Sequence, residues 1–179
     1  NFKPSIQIAN MLLNNQKIIN KMDVLAFVGG FSFSDTLGSA NGWASTLLHN
    51  KKISLELKKF RENENKYALG VCNGFQLLTL LGWFDDILEN VFHTLKVDNY
   101  KIKITNNNSK RFESRFINIK ISNTSSPFLE NNIGDILGVW SAHGEGKIVI
   151  YDNDEPIDYE HLVYKDFQRY SPIKYIDDK

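Results

Sequence analysis

Residues 67–81 read YALGVCNGFQLLTLL, two apolar runs joined by a short turn in which glycines flank a cysteine. The first run, residues 67–71, is short and continuous, which is typical of a strand buried on both faces of a parallel sheet. The second run, residues 75–81, is long and apolar enough to form a buried helix. A strand, a tight turn and a helix in this order predict an α/β fold.

A similar arrangement precedes this segment in the chain. Residues 24–28 (VLAFV) form another continuous apolar run, and it ends at Gly29 and Gly30. Residues 43–49 and 53–60 follow, with leucines that would form an inner face and lysines that would form an outer one, as in an amphipathic helix. Two strand–turn–helix units predict a parallel sheet flanked by helices.

The second half of the chain follows a different pattern. Residues 101–104 (KIKI) and 116–121 (FINIKI) alternate apolar and polar side chains, as half-exposed antiparallel strands do. Two further strands are expected at residues 137–141 and 147–151, and the asparagine run 106–108 is expected to be a surface loop without function. The predicted fold is therefore α/β, a mostly parallel sheet flanked by helices, with an antiparallel extension in the second half.

The composition limits the classes of function. The 179 residues fit one domain, and 21 basic residues balanced by 21 acidic ones leave no excess of positive charge for nucleic acid. No apolar run approaches the roughly 18 residues that span a bilayer. The single cysteine cannot form an internal disulfide, which favours a reducing compartment, the cytoplasm.

The turn at residues 70–74 (GVCNG) has the pattern of a strained nucleophile turn between a strand and a helix. Cys72 would lie at a helix N-terminus, where backbone N–H groups and the helix dipole favour a thiolate. The backbone amide of Asn73 would be placed to receive an oxyanion. The alternative is a buried structural cysteine, but the two flanking glycines favour the nucleophile.

Gly29 and Gly30 end the first predicted strand. In an open parallel sheet, ligands bind beyond the carboxyl ends of the strands, and glycines there allow backbone amides to approach a ligand closely. A plain tight turn is the alternative, and two glycines alone do not decide between them.

The segments that carry chemistry also resemble a known family. Residues 70–78 (GVCNGFQLL) resemble the nucleophile turn of class I, triad-type glutamine amidotransferases. Within that class, the more specific similarity is to the glutaminase domains of the phosphoribosylformylglycinamidine synthase family, in their long, single-chain form. It is carried by residues 27–44 (FVGGFSFSDTLGSANGWA), 80–83 (LLGW), 111–116 (RFESRF) and 140–146 (WSAHGEG).

This resemblance implies a flavodoxin-like fold and a residue-by-residue chemistry. Cys72 would attack the side-chain amide of glutamine, form a thioester and release ammonia, while the amides of Gly30 and Asn73 hold the oxyanion. The resemblance further implies a set of residues that bind glutamine: Gly29, Phe31, Gln76, His143, Gly144 and Glu145.

The same resemblance implies the partners. Ammonia would pass to a synthetase domain of the same polypeptide or complex, which converts formylglycinamide ribonucleotide to formylglycinamidine ribonucleotide with ATP and Mg²⁺. The resemblance implies no cofactor in this domain, and the sequence contains no Gly-rich phosphate loop followed by Lys and Ser/Thr that would serve the synthetase half of the reaction. Two alternatives are a glutaminase that serves another synthetase and a non-catalytic interaction module.

The sequence departs from the family in one respect. The family's catalytic His and Glu lie in a Pro-His-Pro-Glu-type motif that residues 1–179 do not contain. We expect residues 1–179 to be a glutaminase domain that lacks this segment and the family's first strand and helix. His143 is expected to be a site residue rather than the base, His49 and His93 to be partly buried structural residues, and the scattered histidines to form no metal site.

Overall fold

The computed structural model describes residues 3, 5, 9–30, 38, 40–85, 89, 100–156 and 171–176. The chain divides into two compact units, Asn1–Trp83 and Phe84–Lys179. The following elements of the first unit are described, in chain order: α1 (Ala9–Asn14), a 3-10 helix (Gln16–Lys21), β1 (Val24–Phe27), α2 (Ala40–His49), α3 (Lys51–Arg61), β2 (Tyr67–Gly70) and α4 (Asn73–Leu80).

The first unit contains the predicted parallel strands. β1 pairs with β2 in parallel, from Val24 opposite Tyr67 to Phe27 opposite Gly70. Both strands, the helix after β2 and the two helices between the strands lie where the sequence predicts them, within a few residues at each end. The α/β class is therefore confirmed.

Helices supply most of the core of the first unit. Its buried side chains come mainly from α2, α3 and α4, and Phe27 of β1 packs edge-on against Trp43 and Trp83. Asn50 begins α3, because its side-chain oxygen accepts hydrogen bonds from the amides of the second and third helical residues, both at 3.1 Å. Along α3, the apolar residues of the amphipathic pattern lie on one face, and this face is buried.

The apolar runs predicted that both faces of the parallel pair are buried, but the described residues leave part of this pair exposed. Among the described residues, Leu25 and Phe27 pack against the helical core, whereas Tyr67, Leu69 and Val71 are 42%, 42% and 52% exposed. A continuous apolar run shows that both faces of a strand tolerate apolar surroundings. It does not show which face a neighbouring element covers.

The second unit is antiparallel, as predicted. Its described strands are β3 (Tyr100–Asn106), β4 (Glu113–Ile121), β5 (Ile136–His143), β6 (Glu145–Asp152), β7 (Glu155–Pro156) and β8 (Ile173–Tyr175). They form two sheets, in the orders β3-β6-β7 and β5-β4-β8. Alternate residues of β4, Ile117, Ile119 and Ile121, are buried, which accounts for the alternating pattern of the sequence.

The connection between β5 and β6 joins the two sheets of this unit. These strands are consecutive in sequence but belong to different sheets, and Gly144 is the single residue between them. The chain therefore crosses from one sheet to the other at residues 143–145, which we call the crossover. None of the helices formed by the described residues is long and apolar enough to cross a membrane.

Candidate active site

Cys72 occupies the turn between β2 and α4 with φ 52° and ψ −112°. A positive φ is unfavourable for a residue with a side chain, and such residues are concentrated at functional sites. The cysteine is exposed, so the alternative of a buried structural cysteine is wrong. The turn that the sequence predicted is therefore present, with a thiol-bearing residue at its strained position.

The two flanking glycines are required by close packing. A Cβ atom at Gly70 would lie 2.8 Å from the carbonyl oxygen of Gly74 and 2.7 Å from a methyl carbon of Leu78. A Cβ atom at Gly74 would overlap the carbonyl group of Phe27 and lie 2.9 Å from its Cβ. Since real Cβ atoms do not approach this closely, the turn requires glycine at these two positions.

Gly29 lies directly beside the cysteine. The amide of Val71 donates a hydrogen bond of 3.0 Å to the carbonyl of Phe27, which extends the pairing of the two strands past their ends. A Cβ atom at Gly29 would be 3.2 Å from the Cβ of Cys72. Gly30 follows with φ 97°, and no atom of the described residues lies within 4 Å of the position that its Cβ would take. The two strand ends that carry the predicted site residues are therefore adjacent.

The first turn of α4 continues from Cys72. The carbonyl of Cys72 accepts hydrogen bonds from the amides of Phe75 at 3.0 Å and Gln76 at 3.1 Å. The amide of Gly74 donates to the carbonyl of Val71 at 2.9 Å. Asn73 is buried and Gln76 is half-buried, one helical turn after the cysteine. The structure thus brings together Gly29, Gly30, Cys72, Asn73 and Gln76 in the first unit.

Other predicted positions differ from this group. Phe31 lies outside the described residues, as does His93. His49 was expected to be partly buried, but it is exposed at the last residue of α2. Apolar neighbours in sequence predicted burial wrongly here, because the inner face of α2 is formed by Ala44 and Leu47, and His49 is not on that face.

The remaining candidates, His143, Gly144 and Glu145, form the crossover in the second unit. All three are half-buried. His143 pairs with Glu113 across β4 and β5, whereas Glu145 pairs with Asn106 across β3 and β6. The two sheets therefore meet at this predicted substrate-binding segment.

Asn107 contacts the crossover through both its backbone and its side chain. Its backbone amide donates to the carbonyl of Gly144 at 3.1 Å. Its Nδ2 donates to the carbonyl of His143 at 2.8 Å and to that of Arg111 at 3.0 Å, and its Oδ1 lies 2.9 Å from Nδ1 of His143. The prediction of a surface loop is wrong for this residue, which is only 9% exposed.

Little in the sequence indicates Asn107, because it lies in a run of three asparagines and 36 positions before its partner. The one available signal is its place directly after the alternating strand. Among the residues that the structure describes, no group of three or more His, Cys, Asp or Glu could hold a metal ion.

Comparisons with known proteins show which family the chain resembles. The family model of the CobB/CobQ-like glutamine amidotransferase domain matches residues 1–171. Phosphoribosylformylglycinamidine synthase of Dictyostelium discoideum is 34% identical over 97% of the chain, and the probable phosphoribosylformylglycinamidine synthase, chloroplastic/mitochondrial, of Arabidopsis thaliana is 35% identical over 99% of it. The chain spans 12% of the length of each of these relatives.

The human phosphoribosylformylglycinamidine synthase is 39% identical over 69% of the chain, which spans 10% of it. Among solved structures, that of PurLQS from Thermotoga maritima superposes with a TM-score of 0.55 at 23% identity, covering 87% of this chain and 57% of that one. At this identity the likeness concerns the fold.

Proposed function

This chain belongs to the CobB/CobQ-like glutamine amidotransferase domain family, and we propose that it is the glutaminase of a phosphoribosylformylglycinamidine synthase. In this proposal, residues 1–179 form a glutaminase domain that hydrolyses L-glutamine to glutamate and ammonia. The relatives that cover nearly the whole chain support this choice over a glutaminase that serves another synthetase.

The chain corresponds to about an eighth of those relatives, so the ligase reaction requires a further part of the protein. We propose that ammonia passes to a synthetase domain, of the same polypeptide or complex, that uses ATP and Mg²⁺ to convert formylglycinamide ribonucleotide to formylglycinamidine ribonucleotide. The cytoplasm is the proposed compartment, because the exposed Cys72 must stay reduced to act.

The proposed reaction begins at the sulfur of Cys72. The thiolate adds to the side-chain amide carbon of glutamine, and the carbonyl electron pair moves to the oxygen. The tetrahedral intermediate collapses, the C–N bond breaks, and the nitrogen leaves as ammonia after taking up a proton. Water then adds to the thioester, which releases glutamate and regenerates the thiol. The family assigns the proton transfers to the His of a Pro-His-Pro-Glu-type motif, which residues 1–179 do not contain.

The other site residues have roles that match their surroundings. The backbone amides of Gly30 and Asn73 would donate to the oxyanion, and the described part of the chain leaves the Cβ position of Gly30, which has a positive φ, free of atoms within 4 Å. Gly29 and Gln76 would contact the glutamine chain, together with Phe31. The crossover at His143, Gly144 and Glu145 would hold its α-amino and α-carboxyl groups.

The observation that carries this proposal is the backbone of Cys72. An exposed cysteine with φ 52°, confined by two glycines whose Cβ atoms would collide with the surrounding atoms, has the geometry of a nucleophile turn. A structural cysteine does not require such strain.

Covalent labelling tests the proposal directly. The protein as it occurs in the cell is treated with a chloromethyl ketone analogue of glutamine, and the modified residue is identified by mass spectrometry. We expect Cys72 to be labelled, glutamine to protect it, and ammonia release to be measurable when ATP and the acceptor nucleotide are present. Cys72→Ser is expected to lose turnover by at least about 10³-fold.

As a control, the Cys72→Ser variant should keep its fold, since serine is nearly isosteric with cysteine. Unchanged hydrogen-exchange protection of α4 in this variant measures that. Absence of labelling in the unmodified protein, or turnover that survives Cys72→Ser, would contradict the proposal. The first result would favour a non-catalytic interaction module.

A further inference from the structure

We propose that Asn107 is a positioning residue that holds His143 in one tautomer and fixes the crossover in the conformation that binds glutamine. Its effect on glutamine binding rests on the proposed function, whereas its effect on His143 and Gly144 follows from the hydrogen bonds alone. Asn107 would not touch the substrate and would act through the crossover.

The orientation of the Asn107 amide group is determined by its neighbours. One atom of this group lies 2.8 Å from the carbonyl oxygen of His143 and 3.0 Å from that of Arg111. Only the NH₂ group can donate to two carbonyl oxygens, and a flipped amide would place an oxygen against both of them. The two protons of Nδ2 are therefore both used, and Oδ1 faces the ring of His143.

The tautomer of His143 follows from this orientation. Oδ1 of Asn107 can only accept a hydrogen bond, and it lies 2.9 Å from Nδ1 of His143. Nδ1 must then carry a proton, so in the neutral ring Nε2 is left as the acceptor. Unconstrained neutral imidazole prefers the opposite tautomer, with the proton on Nε2. Asn107 thus selects the hydrogen-bonding character that the His143 ring offers to a ligand.

The backbone around the ring is shaped to accept this arrangement. Thr105 pairs with Lys147 and Asn106 pairs with Glu145, so Gly146 is an extra residue at a bulge of β6. A Cβ atom at Gly146 would lie 2.6 Å from Nδ1 of His143. The bulge therefore brings a residue without a side chain against the ring, on the nitrogen that Asn107 binds.

Asn107 also ties the two sheets of the second unit together. It follows β3 directly, and its backbone amide donates to the carbonyl of Gly144, the residue at which the chain leaves β5 and enters β6. Because the side chain is only 9% exposed, water cannot readily replace these bonds. Loss of the Asn107 side chain would remove its hydrogen bonds to both the carbonyl and the ring of His143.

The test compares two cysteine reagents on the protein as it occurs in the cell. A chloromethyl ketone analogue of glutamine needs the groups that bind the α-amino and α-carboxyl ends, whereas iodoacetamide needs only the thiol. For Asn107→Ala, we expect the half-saturating concentration of the analogue to rise about 10-fold, since hydrogen bonds worth about 1 kcal/mol each are lost. The limiting rate of labelling and the rate with iodoacetamide should change by less than about twofold.

Asn108→Ala is the matched control, because Asn108 is the exposed neighbour whose side chain accepts a hydrogen bond from Lys147 at 2.8 Å, away from the ring of His143. Asn107→Asp is a second variant of nearly the same shape. It keeps the acceptor toward the ring of His143 but places a second acceptor against the two carbonyl oxygens, so it should also weaken binding of the analogue. Equal slowing of both reagents, or identical behaviour of the alanine variants at positions 107 and 108, would overturn the proposal.

Hydrogen exchange separates this inference from the proposed function. If the unmodified protein reacts with iodoacetamide but not with the analogue, the glutaminase proposal fails. The exchange of amides 143–147 then decides the role of Asn107. Faster exchange in Asn107→Ala than in Asn108→Ala supports the positioning role, and equal exchange overturns it.

Discussion

The turn around Cys72 and the crossover around His143 are both tight connections next to strands, but they are built differently. At Cys72, the geometry follows from absent side chains, because Gly29, Gly70 and Gly74 allow backbone atoms to approach closely. At His143, it follows from a side chain that is present, since the side-chain amide of Asn107 makes two hydrogen bonds to His143. The first device is steric and local, and the second is polar and non-local.

The largest effect is expected from Gly74→Ala, which tests the steric device. The added Cβ would overlap the carbonyl of Phe27, so either α4 or β1 must move. We expect the free energy of opening of α4 to fall by about 3 kcal/mol, the upper part of the range for overpacking. Hydrogen exchange of amides 77–81 in the intact protein measures it.

Gly134→Ala is the control for this substitution. Gly134 has φ 93° and no atom near the position of a Cβ, so alanine there carries backbone strain of about 1 kcal/mol without a collision. It should leave the protection of α4 unchanged. If Gly74→Ala behaved like Gly134→Ala, close packing would not be what requires a glycine at the turn.

The two connections also differ in how well the sequence predicts them. The pattern of residues 70–74 contains the nucleophile position and its two flanking glycines contiguously, whereas Phe27, Gly29 and Leu78, which complete the steric device, lie outside it. The two parallel strands and α2, α3 and α4 are equally local, and the sequence predicts them within a few residues, whereas α1 and the 3-10 helix before β1 are not predicted. The sequence does not predict the role of Asn107, because a hydrogen bond between positions 36 apart depends on the pairing of β3 with β6, which no local pattern specifies.

The sequence predicts exposure less well than secondary structure, for a related reason. Leu69 and Val71 belong to a continuous apolar run, yet they are 42% and 52% exposed. The run determines that a strand forms, but the cover of each face depends on which elements pack there, and that is a property of the whole fold.

A second prediction tests whether the crossover binds substrate or takes part in proton transfer. His143→Ala removes the ring but leaves the thiol and the turn of Cys72 intact. If the crossover binds the α-amino and α-carboxyl groups, KM for glutamine should rise about 10-fold while kcat changes by less than about threefold. Steady-state ammonia release measures both constants.

His49→Ala is the matched control, because His49 is exposed at the end of α2 and lies outside the proposed site. If His143→Ala instead lowered kcat by about a hundredfold or more and left KM unchanged, the ring would be a general acid–base group. That outcome would contradict the role assigned to the crossover.

A smaller effect is expected from Gly146→Ala, which introduces a steric conflict at the hydrogen-bonded crossover. The added Cβ would lie 2.6 Å from Nδ1 of His143 and compete with its hydrogen bond to Asn107. Because the ring can rotate where a backbone carbonyl cannot, we expect KM to rise only about threefold, as for the loss of one hydrogen bond. The same assay as for His143→Ala measures it, and an unchanged KM would show that the ring position is not critical.

The smallest effect concerns Glu56, a half-buried carboxylate of α3 in the first unit. Lys59 donates to it at 2.7 Å, and Asn20 of the 3-10 helix donates to it at 2.7 Å, and these bonds hold the pKa of Glu56 below its usual 4.5. A lowered pKa in the folded state means that the carboxylate contributes stability above pH 4.5, which is lost as the pH falls through the folded pKa. Glu56→Gln should therefore reduce the protection of the 3-10 helix at about pH 7 and have progressively less effect below pH 4.5. Hydrogen exchange of residues 16–21, corrected for the intrinsic rate at each pH, measures the difference.

Glu62→Gln is the control. Glu62 directly follows α3, the helix that contains Glu56, and its ion pair with Lys58 is long, at 3.7 Å, with both side chains largely exposed. An equal effect of Glu56→Gln at about pH 7 and below pH 4.5 would mean that the packing of this side chain, rather than its charge, joins α3 to the 3-10 helix. This contact would then be steric, like the turn at Cys72.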